Sequence, residues 1–276
     1  IMNDNHPNLC FHLGLEKTGS TFLQLTVFQN LEGVSYHRKS RFKLFEKIVA
    51  DYPEANHLFT FETDRELFPS IDKIVKTRPD AKVILILRRQ DSWLSSKYYY
   101  HIRKHGFKTL KEFFNLETGE GEWEKEEFLL RPKIEYLESH FTTPILFLNY
   151  DELKKSPEQY VQLILDYCGA KLKPGVDLHK RRKRAFSVKQ NRVLMAFNKL
   201  YKYEHLGSKS RFWNKLWYKY REFLLHIVAF LAQFVPGFLV SDEALVDKDY
   251  LEQVKAHYQE DWEFALSRVT SISTLS

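Results

Sequence analysis

Residues 14–22 of the chain read GLEKTGSTF, with two glycines five positions apart and a serine–threonine pair after the second. The spacing of Gly14 and Gly19 matches the Walker A loop of nucleoside triphosphate-binding proteins, G-x-x-x-x-G-K-[ST]. The lysine of that pattern is displaced, because Ser20 stands at its position and Lys17 lies three residues earlier. The segment therefore indicates a loop for a phosphate-type anion, without the usual Walker A lysine.

A turn between a strand and a helix can hold such an anion, because the first N–H groups of a helix have no partner within it. The apolar run LCFHL, 9–13, predicts a buried strand before the turn, and Ser20 could cap the helix after it. Gly19 would allow close approach of the backbone, and Thr18, Ser20 and Thr21 would add hydroxyl donors. A glycine turn without a ligand remains an alternative.

A nucleoside triphosphatase or kinase also needs an acidic residue at the end of a buried strand, as a partner for magnesium. The clearest strand, AKVILILR at 81–88, ends in Arg88 instead. The strand PILFLNY at 144–150 is followed by Asp151 and Glu152. This acidic pair keeps a Walker-type kinase or NTPase open, with Asp151 as its essential acid.

A second anion site is indicated by LRRQDSWLSSKYY, 87–99. Arg88 ends the strand, and Ser96 follows about two turns into the next predicted helix. Ligands of open α/β sheets bind at the carboxyl ends of the strands. A guanidinium and a hydroxyl there would suit a phosphate group, although Arg88 could also pair with a surface carboxylate.

These residues need a scaffold of alternating strands and helices. The pattern predicts an α/β fold, a three-layer sandwich with a central parallel sheet of the P-loop NTPase-like type. We expect a single domain, with an α/β core at about 8–170 and a helical C-terminal part at about 171–276 packed on it, without further strands. The predicted strands are 9–13, 34–37, 57–62, 81–88 and 144–150; the predicted helices are 20–30, 41–51, 66–77, 91–104, 109–116, 127–140, 157–168, 188–203, 211–233 and 248–268.

The composition of the 276 residues is that of a globular protein, with 43% hydrophobic and 28% charged residues. The net charge of +6 suits an anionic ligand, but no motif indicates nucleic-acid binding. Cys10 and Cys168 are expected to be buried free thiols, and no apolar run reaches the ~18 residues of a membrane span. With no signal peptide recognised, we expect a cytoplasmic protein.

Together the two motifs resemble those of the sulfotransferase family. K-T-G-S-T-F, 17–22, resembles its 5′-phosphosulfate loop, and Arg88 with Ser96 resembles its 3′-phosphate motif, in the same order and at a similar separation. The resemblance covers about residues 9–170. It implies the donor 3′-phosphoadenosine 5′-phosphosulfate (PAPS), the product 3′,5′-adenosine bisphosphate (PAP), and no metal.

The resemblance also implies roles for the loop residues in an in-line displacement at sulfur. Lys17 would stabilise charge on the bridging oxygen, and the amides and hydroxyls of Thr18, Gly19, Ser20 and Thr21 would hold the 5′-phosphate. Phe22 occupies the position of an aromatic residue that stacks on adenine. A place in the core of the first helix explains Phe22 equally well.

The family also uses a general base after the strand that precedes the 3′-phosphate strand. Glu62, in HLFTFETDRE, matches that position best. Asp64 and His101 are the other candidates. A solvated carboxylate paired with Arg65 is the alternative explanation of Glu62.

The C-terminal third carries two further features. Lys180–Arg184 is a basic run that could close over the donor's 3′-phosphate, attract an anionic acceptor, or form a solvated face. FWNKLWYKYREFLL, 212–225, interleaves rings with cations, as in a membrane-surface helix, a sugar- or lipid-binding wall, or a packed helix. We expect a hydroxylated acceptor, most simply a carbohydrate or glycolipid, with peripheral membrane contact through 212–235 at the inner face. A small alcohol or phenol as acceptor, and a membrane-binding protein with an inactive donor fold, remain alternatives.

Overall fold

The computed structural model describes residues 8–104, 106–179, 186–201, 210–240 and 244–270. Five strands form one sheet in the order β3–β4–β1–β5–β6, and every pairing in it is parallel. Two short strands, β2 and β7, pair antiparallel in a second sheet. This architecture confirms the predicted α/β fold with a central parallel sheet. The strands are β1 Leu9–Gly14, β2 Leu31–Glu32, β3 Ser35–His37, β4 His57–Glu62, β5 Lys82–Leu87, β6 Leu146–Asn149 and β7 Lys171–Leu172.

Helices connect the strands and form the C-terminal part of the described chain. The first, α1 Ser20–Phe22, continues as a π-helix at Leu23–Val27 and a 3-10 helix at Phe28–Asn30. The others are α2 Phe45–Asp51, α3 Leu67–Val75, α4 Gln90–Arg103, α5 Leu110–Phe113, α6 Arg131–His140, α7 Tyr150–Lys155, α8 Pro157–Cys168, α9 Val188–Leu200, α10 Arg211–Leu231, α11 Lys248–His257 and α12 Gln259–Arg268. Further 3-10 turns are Lys39–Leu44, Glu126–Phe128, Ala232–Phe234 and Gly237–Leu239.

The sheet is buried on both faces, as its aliphatic strands require. One face carries Cys10 and Ile84 and packs on the helical segment at 20–30 and on α8. On the other face, the ring of Phe11 meets that of Phe45 edge-on at the start of α2, 5.3 Å between centroids. β1 is the middle strand of the sheet, paired with β4 on one side and β5 on the other.

The chain divides into two compact units. The first comprises 1–93, 129–182 and 257–276 and contains the five-stranded sheet. The second comprises 94–128 and 183–256 and contains α5, α9, α10 and α11. Residues 94–128 thus group with C-terminal helices, and α12 groups with the sheet. The single-domain organisation, with a core ending near residue 170, stays a prediction.

Some local predictions were wrong. Ser20 does not cap the first helix: Gly19 is the N-cap residue, in a left-handed conformation, and Ser20 is the first helical residue. A strand does exist beyond residue 170, because β7 pairs with β2; strands of two residues carry no readable periodicity. The predicted helix at 248–268 is two helices, α11 and α12, which meet at Tyr258.

Cys10 and Cys168 are buried free thiols, as expected, and their sulfur atoms lie 3.3 Å apart. Burial, with Cys168 close by, holds the pKa of the Cys10 thiol well above its usual value. None of the helices described in the structure is long and apolar enough to cross a membrane.

Candidate active site

The candidate site lies where three neighbouring strands end. In β1 and β4, Gly14 stands opposite Glu62, and β5 pairs with β1 on its other side. Arg88 is the residue after β5. The loop at 15–19 therefore leaves the sheet between Glu62 on one side and Arg88 on the other, at the edge where parallel α/β sheets bind ligands.

Three successive carbonyl groups of the loop are held by side-chain donors. The Thr18 hydroxyl donates to the carbonyl oxygen of Leu15 at 2.6 Å. Trp93 Nε1 donates to that of Glu16 at 2.8 Å, and Arg88 Nη1 donates to that of Lys17 at 2.6 Å. These bonds turn the negative ends of the peptide dipoles toward protein donors.

The amide side of the loop is arranged in the opposite way. Lys17 and Gly19 both have positive φ, 68° and 88°. Within the described parts of the chain, the N–H groups of Thr18, Gly19 and Ser20 donate to no other group. Successive N–H groups beside left-handed residues form a concavity that binds anions. Three adjacent N–H groups of the loop are thus available to an anion.

Asp64 fixes the loop from the side of β4. Its Oδ1 accepts from the N–H of Glu16 at 2.9 Å, and the N–H of Thr63 donates to the carbonyl of Gly14 at 2.8 Å. Asp64, one of the three candidate bases, therefore serves as an anchor of the loop here.

Gly19 is required by space as well as by conformation. A Cβ atom there would lie 2.9 Å from Leu153 Cδ2 and 3.2 Å from the ring of Tyr150. Both residues belong to α7, the helix after β6 that the sequence did not predict. α7 therefore packs directly against the loop.

The other predicted loop residues have different surroundings. The Thr18 hydroxyl was expected to bind the ligand, but it is buried and donates to the carbonyl oxygen of Leu15. Only the N–H group of Thr18 is left without a protein acceptor among the described residues. Ser20 is buried, and Thr21 is exposed. Phe22 packs at the edge of the core, which favours the packing explanation, and adenine stacking stays a prediction.

Arg88 connects the loop to α4. Besides its bond to Lys17, its Nε donates to the Ser92 hydroxyl at 2.8 Å, and its guanidinium lies over the ring of Tyr150 at 4.5 Å. Burial lowers the pKa of Arg88, although nearby groups including Asp151 oppose the shift. Ser96 lies one turn after Ser92 on α4 and belongs to the second unit, whereas Arg88 belongs to the first. A 3′-phosphate site formed by Arg88 and Ser96 therefore stays a prediction.

Glu62 is half-buried at the end of β4, near a small polar group on the same face of the sheet. The Tyr36 hydroxyl lies 3.2 Å from the Thr60 hydroxyl. Burial raises the pKa of Tyr36, and the charge of Glu62 raises it further, while the bond to Thr60 and the charge of Arg38 act in the opposite direction. The Glu62 carboxylate is therefore close enough to Tyr36 to interact electrostatically.

His101, the third candidate base, lies on α4 in the second unit. Its Nδ1 is 3.3 Å from Glu122 Oε2, and its ring contacts that of Phe113. These contacts give His101 a structural role within the second unit.

His12 was missed by the sequence reasoning. It lies on β1, two residues before Gly14, and is fully buried with neither ring nitrogen hydrogen-bonded in the part of the chain described. A Cβ atom on Gly14 would lie 2.9 Å from its Cε1 and 3.4 Å from Ser20 Oγ. Burial lowers the pKa of His12 to about 4, so the ring is neutral beneath the loop. In the sequence, the one indication of a buried polar residue here is a histidine within the apolar run LCFHL.

The acids expected of a nucleoside triphosphatase are engaged elsewhere. Asp151 and Glu152 lie in the first turn of α7, where they pair with Lys154 and Lys155, each at 2.8 Å. Among the described residues, no group of three or more His, Cys, Asp or Glu side chains could hold a metal ion. The basic run Lys180–Arg184 lies outside the described residues.

A sequence profile of the Sulfotransferase family matches residues 26–174. The match spans just over half of the chain and includes Glu62, Arg88 and Ser96, but it begins after the loop. The chain therefore belongs to the sulfotransferase family, as its loop and its arginine–serine motif had together indicated. It is an enzyme of this PAPS-dependent family. No curated protein sequence matches the chain.

Among solved structures, one supports the fold, and two others are similar with lower scores. A sulfotransferase from Alicyclobacillus acidocaldarius is similar with a TM-score of 0.51 and 15% identity, over 64% of this chain and 86% of its own. A mouse sulfotransferase in complex with PAP has a TM-score of 0.43 and 16% identity, over 60% of each chain. The sulfotransferase domain from the curacin biosynthetic pathway has a TM-score of 0.39 and 14% identity, over 64% of this chain and 79% of its own.

Proposed function

We propose that this enzyme transfers the sulfuryl group of PAPS to a hydroxyl group of its acceptor. The observation that carries the proposal is the loop between β1 and α1. Its carbonyl groups at 15–17 are held by side chains, and its N–H groups at 18–20 have no acceptor within the described chain. A single 5′-phosphate bearing sulfate suits these three N–H groups. Such a donor has no β- and γ-phosphates, so neither a Walker A lysine nor magnesium is needed to bind them.

The 3′-phosphate of the donor is assigned to Arg88 and Ser96. Arg88 uses Nε and Nη1 within the protein, and a guanidinium carries five N–H donors. It can therefore hold the loop and bind a phosphate oxygen through its remaining donors. Thr21 adds an exposed hydroxyl after the loop. Phe22 packs on the core with part of its ring and is only half-buried, so its accessible part can still stack on adenine.

In the proposed reaction the acceptor oxygen attacks sulfur in line with the bond to the 5′-phosphate oxygen. A new S–O bond forms, the old one breaks, and its electron pair stays on the phosphate oxygen of PAP. Glu62 accepts the proton of the acceptor hydroxyl, and Lys17 stabilises the charge on the leaving oxygen. Glu62 is preferred to Asp64 as the base because Asp64 already binds the amide of Glu16.

We further propose a carbohydrate or glycolipid hydroxyl as acceptor, in the cytoplasm or at the inner face of a membrane. The support for this acceptor is the ring-rich segment at 212–235, in which eight aromatic residues stand among basic ones. A small alcohol or phenol is the competing acceptor.

The test is transfer of labelled sulfate from PAPS to a panel of glycolipids, free sugars and phenols. Glu62→Gln removes the proton acceptor and should lower kcat about a hundredfold or more, with little effect on PAP affinity. Lys17→Ala should lower kcat as well. Glu54→Gln is the matched control, because Glu54 is an exposed acid before the first residue of β4, at the opposite end of that strand from Glu62. Near-normal turnover by Glu62→Gln would remove Glu62 from the proposed mechanism.

A further inference from the structure

Helix α10 buries one face within the second unit. Arg221, Leu225, Ala229 and Ala232 recur at intervals of three or four residues and are buried. The Arg221 guanidinium lies over the ring of Tyr201 at 4.4 Å and donates to the Tyr201 carbonyl. This face of α10 is therefore already packed against the protein.

The opposite face of the helix is apolar and exposed. Its residues also follow the helical repeat and continue into the 3-10 turn at Ala232–Phe234. We call them the outer stripe: Phe212, Leu216, Phe223, Ile227, Phe230 and Phe234. Their exposed fractions range from 37% for Ile227 to 70% for Phe234. At 1.5 Å per residue the stripe is about 30 Å long.

Neighbouring residues extend the stripe. Trp213, Tyr220 and Leu231 border it on one side and are also exposed. In the turn that follows, Phe238 is 87% exposed. Exposed apolar surface of this extent is typical of sites that bind another protein or a membrane.

The charges beside the outer stripe distinguish these two partners. Lys215 and Lys219 are exposed along its other side. The only acidic residue between 211 and 234 is Glu222, which binds Lys104 at 2.6 Å. A second copy of this helix would therefore bring no unpaired carboxylate to the two lysines. Anionic lipid headgroups would supply negative charge at the depth where lysine side chains reach out of the apolar layer.

We propose that α10 is an interfacial helix, which lies on an anionic phospholipid surface with its outer stripe among the acyl chains. Trp213 and Tyr220 lie at the headgroup level, and Lys215 and Lys219 contact lipid phosphates. The helix lies on the membrane and does not cross it. This property goes beyond sulfuryl transfer and can be measured without donor or acceptor.

The test is co-sedimentation of the full chain with phosphatidylcholine vesicles, with and without phosphatidylglycerol. The wild type should bind the anionic vesicles, and high salt should weaken binding. The double variant Phe223→Ser/Phe230→Ser should bind about tenfold more weakly or worse. Leu44→Ser/Leu200→Ser, which removes two exposed leucines outside the stripe, is the matched control and should bind as the wild type does.

A second pair of variants tests the lysines. Lys215→Gln/Lys219→Gln should weaken binding about fivefold per lysine, with the loss confined to anionic vesicles. Lys171→Gln/Lys173→Gln removes the same charge from exposed positions elsewhere and should have little effect. Thermal unfolding without vesicles verifies that each variant is folded.

Three results would overturn the proposal. The first is a wild type that stays in the supernatant with both vesicle types at low salt. The second is a folded stripe variant that binds as the wild type does. The third is a wild-type dimer that the stripe variant converts to monomer, because a second copy would then cover the stripe.

Discussion

His12 shows how a single residue beneath the site affects the whole protein. Its ring is neutral because burial lowers its pKa to about 4 from an ordinary value of 6.5. The unfolded chain therefore takes up a proton at a higher pH than the folded chain does. Between about pH 6.5 and 4, stability is lost as pH falls, by about 3 kcal/mol in total for this one group.

The substitution His12→Leu should remove this contribution. Leucine fills a similar volume and leaves no unpartnered ring nitrogen, so the variant should lose less stability between neutral pH and about pH 4.5 than the wild type does. The measurement is urea unfolding at both pH values. His37, whose pKa is also lowered to about 4, remains in both proteins and does not affect the difference. Equal acid sensitivity of the two proteins would mean that His12 is not buried as described.

At the scale of the element, neighbouring residues hold the loop in a strained conformation. Lys17 has a left-handed backbone, which side chains other than glycine rarely adopt, and Arg88 binds its carbonyl group. Gly19 adds a second left-handed residue against α7. The conformation of the loop depends on the left-handed backbone at both Lys17 and Gly19.

Gly19→Ala tests this dependence against a matched glycine. Gly175 also has positive φ, 79°, but a Cβ atom there would meet nothing within 4 Å. Gly175→Ala should cost only backbone strain, about 1–2 kcal/mol, and leave PAP binding intact. Gly19→Ala should cost more, because of its contacts with Leu153 and Tyr150, and should abolish PAP binding. Calorimetric titration measures PAP binding, and urea unfolding measures stability. Identical behaviour of the two variants would mean that the contacts of Gly19 with Leu153 and Tyr150 do not restrict this position.

Some elements of the site could be predicted from local sequence, and others could not. The strands at 57–62 and 81–88 are apolar runs, so Glu62 and Arg88 were recognisable as residues at strand ends. Glu16 accepts a hydrogen bond from Trp93 and donates one to Asp64, and these bonds join residues 77 and 48 positions apart. They depend on which strands are neighbours in the sheet, and no local pattern specifies that order.

At the scale of the whole molecule, the family profile assigns the family, and the loop motif agrees with it from outside the matched residues. The loop motif lies before residue 26, and the family profile matches from residue 26 onward. The sequence did not predict that 94–128 would group with the C-terminal helices, because helix periodicity indicates an apolar face but not its partner. For the same reason, the exposure of the outer stripe on α10 became evident only from the structure.

Donor binding is the central claim, and a thermal shift of the full chain with PAP tests it most directly. A ligand at ~100 times its Kd adds about 2.7 kcal/mol, which for a chain of this size raises Tm by roughly 5 °C. We predict this rise with PAP alone, its loss in Arg88→Ala, and its retention in Arg78→Ala, a control arginine paired with Asp80. Stabilisation by ADP with magnesium, and none by PAP, would contradict the account and make the loop that of an unusual nucleoside triphosphatase.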